Sequence, residues 1–251
     1  MSNALDAEVL EAEAAAEGAS AAGKRLYVQR IFSEIAPRYD LLNRLLSLGI
    51  DRRWRARAIE ALGWTQAPAG AYLDLCAGTL DVGAELSRRK GFGGAILGAD
   101  FAEPMLRAGL GKAPREVLAP VVADALALPI RDGVMDGAIV AFGIRNVARL
   151  DAGLREVHRV LKPGARFVIL EFSTPRVPLV RAGYLFYFHR ILPLIGRLVS
   201  GHRTAYTYLP RSVANFPETG ALAEAMRTAG FRDVRFETLT FGIAAVHAGT
   251  K

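Results

Sequence analysis

Downstream of residue 70, short apolar runs alternate with segments whose apolar positions recur at helical spacing. The runs "AYLDLC" (71–76), "AILGAD" (95–100), "LAPVV" (118–122), "MDGAIVAF" (135–142) and "RFVILEF" (166–172) are short, rich in Val, Ile and Leu, and bounded by turn residues. That pattern predicts strands buried on both faces, with helices at 81–90, 102–113 and 148–161 crossing between them. A helix at 218–229 leads into "FRDVRFETLTFGIAAVHAG", two strands joined by a short turn, so the last strand is expected to enter antiparallel. The fold class is therefore α/β, with a mostly parallel sheet covered by helices.

Helices are also expected at 25–35, 39–47 and 50–62, which makes residues 24–62 a helical cap ahead of the sheet. Residues 174–217 contain Pro175, Pro178, Pro193, Pro210 and Pro217 and are expected to form a helical insertion before the last two strands. The first 23 residues are Ala- and Glu-rich and are expected to form a flexible tail. Residues 24–251 then form a single domain. The start of the chain has no basic region followed by an apolar run, and its acidic residues argue against a transit peptide. The most apolar stretch, 183–199, is interrupted by His189, Arg190, Pro193 and Arg197 before it could cross a bilayer.

Composition changes this picture in two ways. With 251 residues, 51% of them hydrophobic, the chain has material for one large core. The net charge of +7 favours acidic partners, among which are nucleic acid and an anionic membrane face. Cys76 is the only cysteine, so an internal disulfide and a multi-cysteine zinc site are excluded. A reducing, cytoplasmic setting is expected, and no metal site is expected.

The candidate chemistry lies in "LDLCAGTLDVG", residues 73–83. In an open α/β sheet the ligand sits beyond the carboxyl ends of the strands, beside the first one. A dinucleotide site would carry G-x-G-x-x-G, so that backbone N–H groups embrace a pyrophosphate. This loop keeps Gly78 for close approach but places Asp74 before it and Asp81 after it, which repels phosphate and suits a cation. S-adenosylmethionine, with its sulfonium and α-ammonium groups, fits that charge. Asp100 ends the second run, where a carboxylate can accept from both ribose hydroxyls, and Asp124 follows the third, near the adenine. Both acids could also cap the helices that follow them. Leu80 is expected to take ordinary right-handed angles in the first helical turn and to narrow the loop. Cys76 reads as a buried small residue and not as a nucleophile.

At this point the sequence resembles the ubiquinone/menaquinone biosynthesis C-methyltransferases, from about residue 27 to the C-terminus. The most specific piece is "FSEIAPRYDLLNRLLSLGIDRRW", residues 32–54, which matches that family's signature at Tyr39, Asp40, Asn43, Ser47 and Trp54. Leu42 and Asp51 depart from it, standing in place of Met and His. "FGIRNV" (142–147), "RVLKPGARFVILEFSTP" (159–175) and "YTYLPRSVANFP" (206–217) extend the likeness. The family's loop has a glycine where Leu80 stands. The resemblance implies a Rossmann-like class I methyltransferase fold: a seven-stranded, mostly parallel sheet with helices on both faces and an antiparallel last strand. It also implies cofactor contacts at Thr79, Asp100, Asp124 and Ala125, with Ala141 at a position that commonly holds serine. The implied substrate is a demethylated polyprenyl quinol, methylated at a ring carbon.

Such a ring carbon is a good nucleophile only when the neighbouring oxygen loses its proton. Arg145 and Asn146, after the fourth strand, are the expected groups there. Arginine is a poor base because its pKa exceeds about 12, so Arg145 is assigned to stabilising the phenolate or holding a relay water, and Asn146 to orienting the oxygen. Tyr39 is expected as a lid over the site, with Phe142 and His189 as substrate contacts. A pairing of Arg145 with a helix carboxylate is the structural alternative. The insertion has no acid between Glu171 and Glu218 but six arginines, which suits a peripheral contact with an anionic membrane. A homodimer is a further partner state, and the sequence does not fix it.

Nucleic acid is not expected as a substrate. "AFGIRNV" lacks the Pro-Pro-aromatic pattern of amino-methylating enzymes, and Cys76 is misplaced for a cytosine nucleophile. The rivals are a small-molecule O- or N-methyltransferase and a non-enzymatic quinone- or lipid-binding protein.

Overall fold

The computed structural model describes residues 21–191 and 203–251. Three cap helices come first: α1 (Ala21–Ile35), α2 (Tyr39–Ser47) and α3 (Asp51–Leu62). The alternating part follows as β1 (Ala71–Leu75), α4 (Asp81–Ser87), β2 (Ala95–Asp100), α5 (Glu103–Gly109), β3 (Leu118–Val122), β4 (Met135–Ala141), α6 (Leu150–Val160) and β5 (Leu161–Phe172). The insertion supplies α7 (Pro178–Phe186), which runs on into a π-helical turn (Tyr187–Ile191), and α8 (Arg203–Ala214). Then come α9 (Thr219–Thr228), β6 (Arg232–Leu239) and β7 (Ala244–Thr250).

The seven strands form one sheet in the order β3-β2-β1-β4-β5-β7-β6, and β7 is antiparallel to both of its neighbours. The strand order reverses between β1 and β4, so the loops after these two strands open a crevice at the carboxyl edge. Alternation along each strand divides the core into two layers. Leu73, Leu75, Ala138, Val140, Phe167 and Ile169 face α6 and α9, where Leu154, Val157, Leu222 and Met226 are buried. Tyr72, Ile96, Ile139, Val168 and Leu170 face the other way, onto Trp54, Ile59 and Leu62 of α3 and Val82 and Leu86 of α4. Each side chain in these runs is therefore committed to one layer, and a register slip of one residue would exchange the layers.

The structure corrects several boundaries. Helix α1 starts at Ala21, inside the segment expected to be a tail, and residues 1–20 lie outside the described residues. Helices α4 and α5 are shorter than expected, ending at Ser87 and Gly109. Strand β5 begins at Leu161, because Leu161 pairs with Met135 before the register shifts and resumes at Arg166 opposite Gly137. Among the described residues no helix is long and apolar enough to cross a membrane.

Helix α1 packs across the carboxyl edge of the sheet. Ile31 and Ile35 form a separate apolar cluster with Tyr184 of α7 and Val213 of α8. Cap and insertion thus meet each other above the crevice.

Candidate active site

Two cavities open at the carboxyl edge and share a wall made by Phe32, Tyr39 and Phe142. The first, of about 260 Å³, follows the ends of β1, β2, β3 and β4. Cys76, Gly78, Asp100, Asp124, Ala125 and Ala141 all line it. Its floor is built by the loop after β1. Gly78 takes φ +52, and its N–H donates to Oδ2 of Asp100 at 2.9 Å. The other Asp100 oxygen accepts from the N–H of Ala102 at 2.8 Å. The carboxylate therefore braces the loop and the entry to α5 while still facing the cavity. Both readings of this residue, ligand contact and cap, describe the same geometry. Burial pushes the Asp100 carboxyl above its usual range, and the backbone N–H groups oppose that shift.

Asp124 accepts from the N–H of Leu126 at 3.0 Å and pairs with Arg25 of α1 at 2.9 Å. Arg25 is the partner that the sequence did not point to. Two further contacts hold α1 to this edge: Lys24 Nζ donates to the carbonyls of Arg145 and Val147, and Gln29 donates to that of Phe101 at 2.9 Å.

Two of the expected cofactor contacts point elsewhere. Asp74 faces α4 and not the cavity, because strand alternation puts it on the Tyr72 face, and its Oδ2 accepts from the N–H of Gly83 at 2.8 Å. Burial raises its carboxyl to about 7, against the opposing pull of that N–H. Thr79 is buried and donates to Asp40 Oδ1 at 2.6 Å. Both side chains shape the loop from behind.

Leu80 is a clear correction. Its angles are left-handed, φ 65 and ψ 20, and its side chain is only 2% exposed, turned into the core below the loop. The room comes from glycines: a Cβ on Gly98 would lie 2.5 Å from Leu80 Cδ2, and one on Gly109 would lie 3.0 Å from its Cγ. The left-handed backbone costs roughly 1–2 kcal/mol, and burying a leucine returns about 1.5–3 kcal/mol. Burial wins, and the cavity is left unnarrowed. Cys76 also has positive φ, 50; it is half-buried at the cavity wall and not fully buried as expected, and desolvation and the surrounding carboxylates push its thiol well up.

The second cavity, of about 410 Å³, lies outside the sheet between cap and insertion. Its wall is apolar and aromatic, with Ile31, Trp54, Phe172, Tyr184 and Ile243 among the lining residues. Arg145 lines this cavity and Asn146 lines the first, while Phe142 borders both. Arg145 is buried, donates to Glu171 Oε1 at 2.7 Å and to the carbonyl of Phe142, and lies 5.6 Å from the centre of the Phe172 ring. Arg145 is thus paired, but with a carboxylate on strand β5 and not with the helix carboxylate expected as its structural alternative. Burial raises the Glu171 carboxyl and Arg145 lowers it, and Glu171 Oε2 is buried with no hydrogen-bond partner among the described residues. Asn146 Oδ1 accepts from Tyr208 at 3.0 Å.

Phe142 is the hinge of the shared wall. It has φ 58, a conformation worth about 1–3 kcal/mol of strain for a bulky residue. Three contacts hold it there: its N–H donates to Leu170 at 2.8 Å, its carbonyl accepts from Arg145, and its ring lies 4.6 Å from Phe172. Tyr39 stands at the same junction, hydrogen-bonded to Asn43, with burial pushing its hydroxyl pKa up. The His189 side chain lies outside the described residues.

A line of charges that sequence reasoning missed ties cap to loop. Ser47 donates to Asp51, Asp51 pairs with Arg55, Arg55 with Asp81, Asp81 with Lys112, Lys112 with Asp40, and Asp40 accepts from Thr79. Asp40, Ser47 and Asp51 fall in the 32–54 segment and Thr79 and Asp81 in the loop, but no spacing rule joins positions 40, 81 and 112.

The first cavity suits a cationic ligand. Asp100 and Asp124 face it, its one lining cation among the described residues, Arg25, is already paired, and the loop after β1 offers only Gly78 at the cavity wall, which leaves no cradle for a pyrophosphate. The residues present fit S-adenosylmethionine. The whole stretch from residue 20 to residue 251 matches the model of the ubiE/COQ5 methyltransferase family. The chain belongs to that family. It is 50% identical over 223 residues to a demethylmenaquinone methyltransferase of Thermus thermophilus, covering 88% of this chain and all of that one. It is 46% identical to a ubiquinone/menaquinone biosynthesis C-methyltransferase of Geobacter sulfurreducens, covering 89% and 88%. A solved SAM-dependent methyltransferase of Thermotoga maritima, at 19% identity, shares the fold with a TM-score of 0.59 over 88% of this chain and 99% of that one. The protein is an S-adenosylmethionine-dependent methyltransferase of the class I fold. Among the described residues no group of His, Cys, Asp or Glu is placed to hold a metal ion.

Proposed function

We propose that this methyltransferase transfers a methyl group to a ring carbon of a demethylated polyprenyl quinol. The observation that carries this reading is the apolar cavity, which meets the cofactor cavity at Phe142 and Tyr39 and has a buried guanidinium in its wall. Both relatives described above are named for quinone biosynthesis. When bound, S-adenosylmethionine supplies an electrophilic methyl on a positively charged sulfur.

The protein's own residues supply the rest. Aromatic walls exclude water and take the planar ring by stacking and edge contacts. Arg145 favours the phenolate over the phenol at the oxygen beside the reacting carbon, because a nearby positive charge stabilises the anion, more strongly where water is excluded. Glu171 fixes the direction of that guanidinium. The shared wall holds ring carbon and donor in a common frame, which converts a bimolecular encounter into an aligned displacement. Incubating the protein with methyl-labelled S-adenosylmethionine and a panel of reduced demethylquinols tests the reading; transfer to a soluble phenol alone would overturn it.

The chain's expected peripheral membrane contact belongs to the same proposal. Helix α7 and its π turn expose Leu179, Phe186 and Ile191 beside exposed Arg176, Arg181 and Arg190, and Gly183 on the same helix lines the apolar cavity. Such a surface rests on anionic headgroups and gives a lipid-soluble quinol a path inward. Co-sedimentation with vesicles that contain anionic lipid, against vesicles that do not, reads it.

A further inference from the structure

Asp51 is the one carboxylate among the described residues that line the apolar cavity, and the scheme above does not use it. It opens α3 and is 5% exposed. Its Oδ1 accepts from Ser47 Oγ at 2.6 Å, and its Oδ2 lies 3.0 Å from Arg55 Nη2. A carboxylate has about four lone-pair sites, so these two contacts leave acceptor capacity. The charge around it points the same way. Asp40, Asp51 and Asp81 are joined through only Arg55 and Lys112, which leaves this line with one negative charge in excess. Other polar groups on the wall are engaged: Thr240 Oγ1 accepts from Trp54, Tyr208 donates to Asn146, and Arg145 is held by Glu171.

We infer that Asp51 accepts a hydrogen bond from the quinol hydroxyl that does not face Arg145, and thereby selects the reduced ring over the quinone. The inference rests on the quinol reading of the preceding section. A quinol carries two O–H donors across its ring, whereas the quinone carries two carbonyl acceptors. Arg145 can donate to a carbonyl as well as to a phenolate, so its hydrogen bond does not shut the quinone out. A buried carboxylate does: it accepts from O–H and repels the lone pairs of C=O, leaving the carbonyl that faces it desolvated and without a donor. The selection matches the chemistry, since the oxidised ring has no electron pair to offer the methyl group and would only block the cavity. Asp51 is a specificity-determining residue in this scheme.

The test compares the full-length protein with Asp51→Asn and Asp51→Glu. Affinities for a short-tailed demethylmenaquinol and for its quinone are read by calorimetry, alongside KM for the quinol, Ki for the quinone, and affinity for S-adenosylmethionine. The expected result is a quinone at least about tenfold weaker than the quinol in the unmodified protein. Asp51→Asn, whose amide can donate, brings the two within about twofold with cofactor affinity unchanged, and Asp51→Glu keeps the preference. Equal affinities in the unmodified protein, or an undiminished preference in Asp51→Asn, would overturn the role of Asp51. Absence of transfer to every quinol would instead sink the proposed activity, while the affinity ratio still decides the role of Asp51.

Discussion

The two cavities are neighbours, yet they are built in different ways. The cofactor cavity takes its floor from consecutive strand ends, and its key acids are Asp100, the last residue of β2, and Asp124, two residues beyond β3, both braced by local N–H groups. The apolar cavity takes its walls from segments scattered between residues 31 and 243, and its polar groups are positioned by long-range pairs such as Arg145 with Glu171. A ligand site made of strand ends inherits the rigidity of the sheet. One made between a cap and an insertion depends on how those two pack, so substrate recognition is the part free to vary.

The sharpest way to separate the two is Arg145→Lys, which keeps a charge beside Glu171 but removes the planar fork. Turnover is expected to fall about 100-fold, with cofactor affinity by calorimetry within about twofold. Equal loss of both would place Arg145 in the wrong cavity. Conversely, Asp100→Ala removes the brace of the loop, and S-adenosylmethionine affinity is expected to fall about 30-fold, or about 2 kcal/mol, while binding of a quinol to the other cavity is retained. Leu80→Gly exchanges a buried side chain for a relaxed backbone. Its cost is about 1 kcal/mol, seen as a drop of about 2–4 °C in Tm with unchanged cofactor binding. A weakened cofactor would mean that Leu80 shapes the cavity after all. The smallest effect is expected from Arg25→Ala. Its half-exposed pair with Asp124 is worth about 0–1 kcal/mol, so cofactor affinity should shift less than about fivefold and lose its salt dependence.

The same contrast explains what was legible in the sequence. Short apolar runs bounded by turn residues and the placement of Asp100 and Asp124 follow from local chemistry, so the α/β sheet, its antiparallel last strand and most of the first cavity could be read directly. Asp74 was misassigned for want of one fact, its parity along β1: the residue alternates with Leu73 and Leu75 and so faces α4. Asn146 and Arg145 were named together because both follow the fourth strand, and in the turn their side chains part, Asn146 meeting Tyr208 and Arg145 meeting Glu171. The charge line from Asp51 to Thr79 joins five segments, and no pattern within any one of them announces it. Arg25 was invisible for a related reason, since nothing in a helix sequence says which strand end it will lie across.

The packing of Leu80 also bears on how this loop came to differ from the family pattern. A backbone carbonyl, that of Thr79, would meet a Cβ on Gly109 at 2.4 Å, so position 109 is closed to side chains whatever stands at 80. Position 98 is different, because the nearest obstacle there is the flexible tip of Leu80 itself. The two glycines thus guard the leucine unequally: a methyl group at 98 asks only that the tip of Leu80 turn aside, whereas one at 109 would press on fixed backbone.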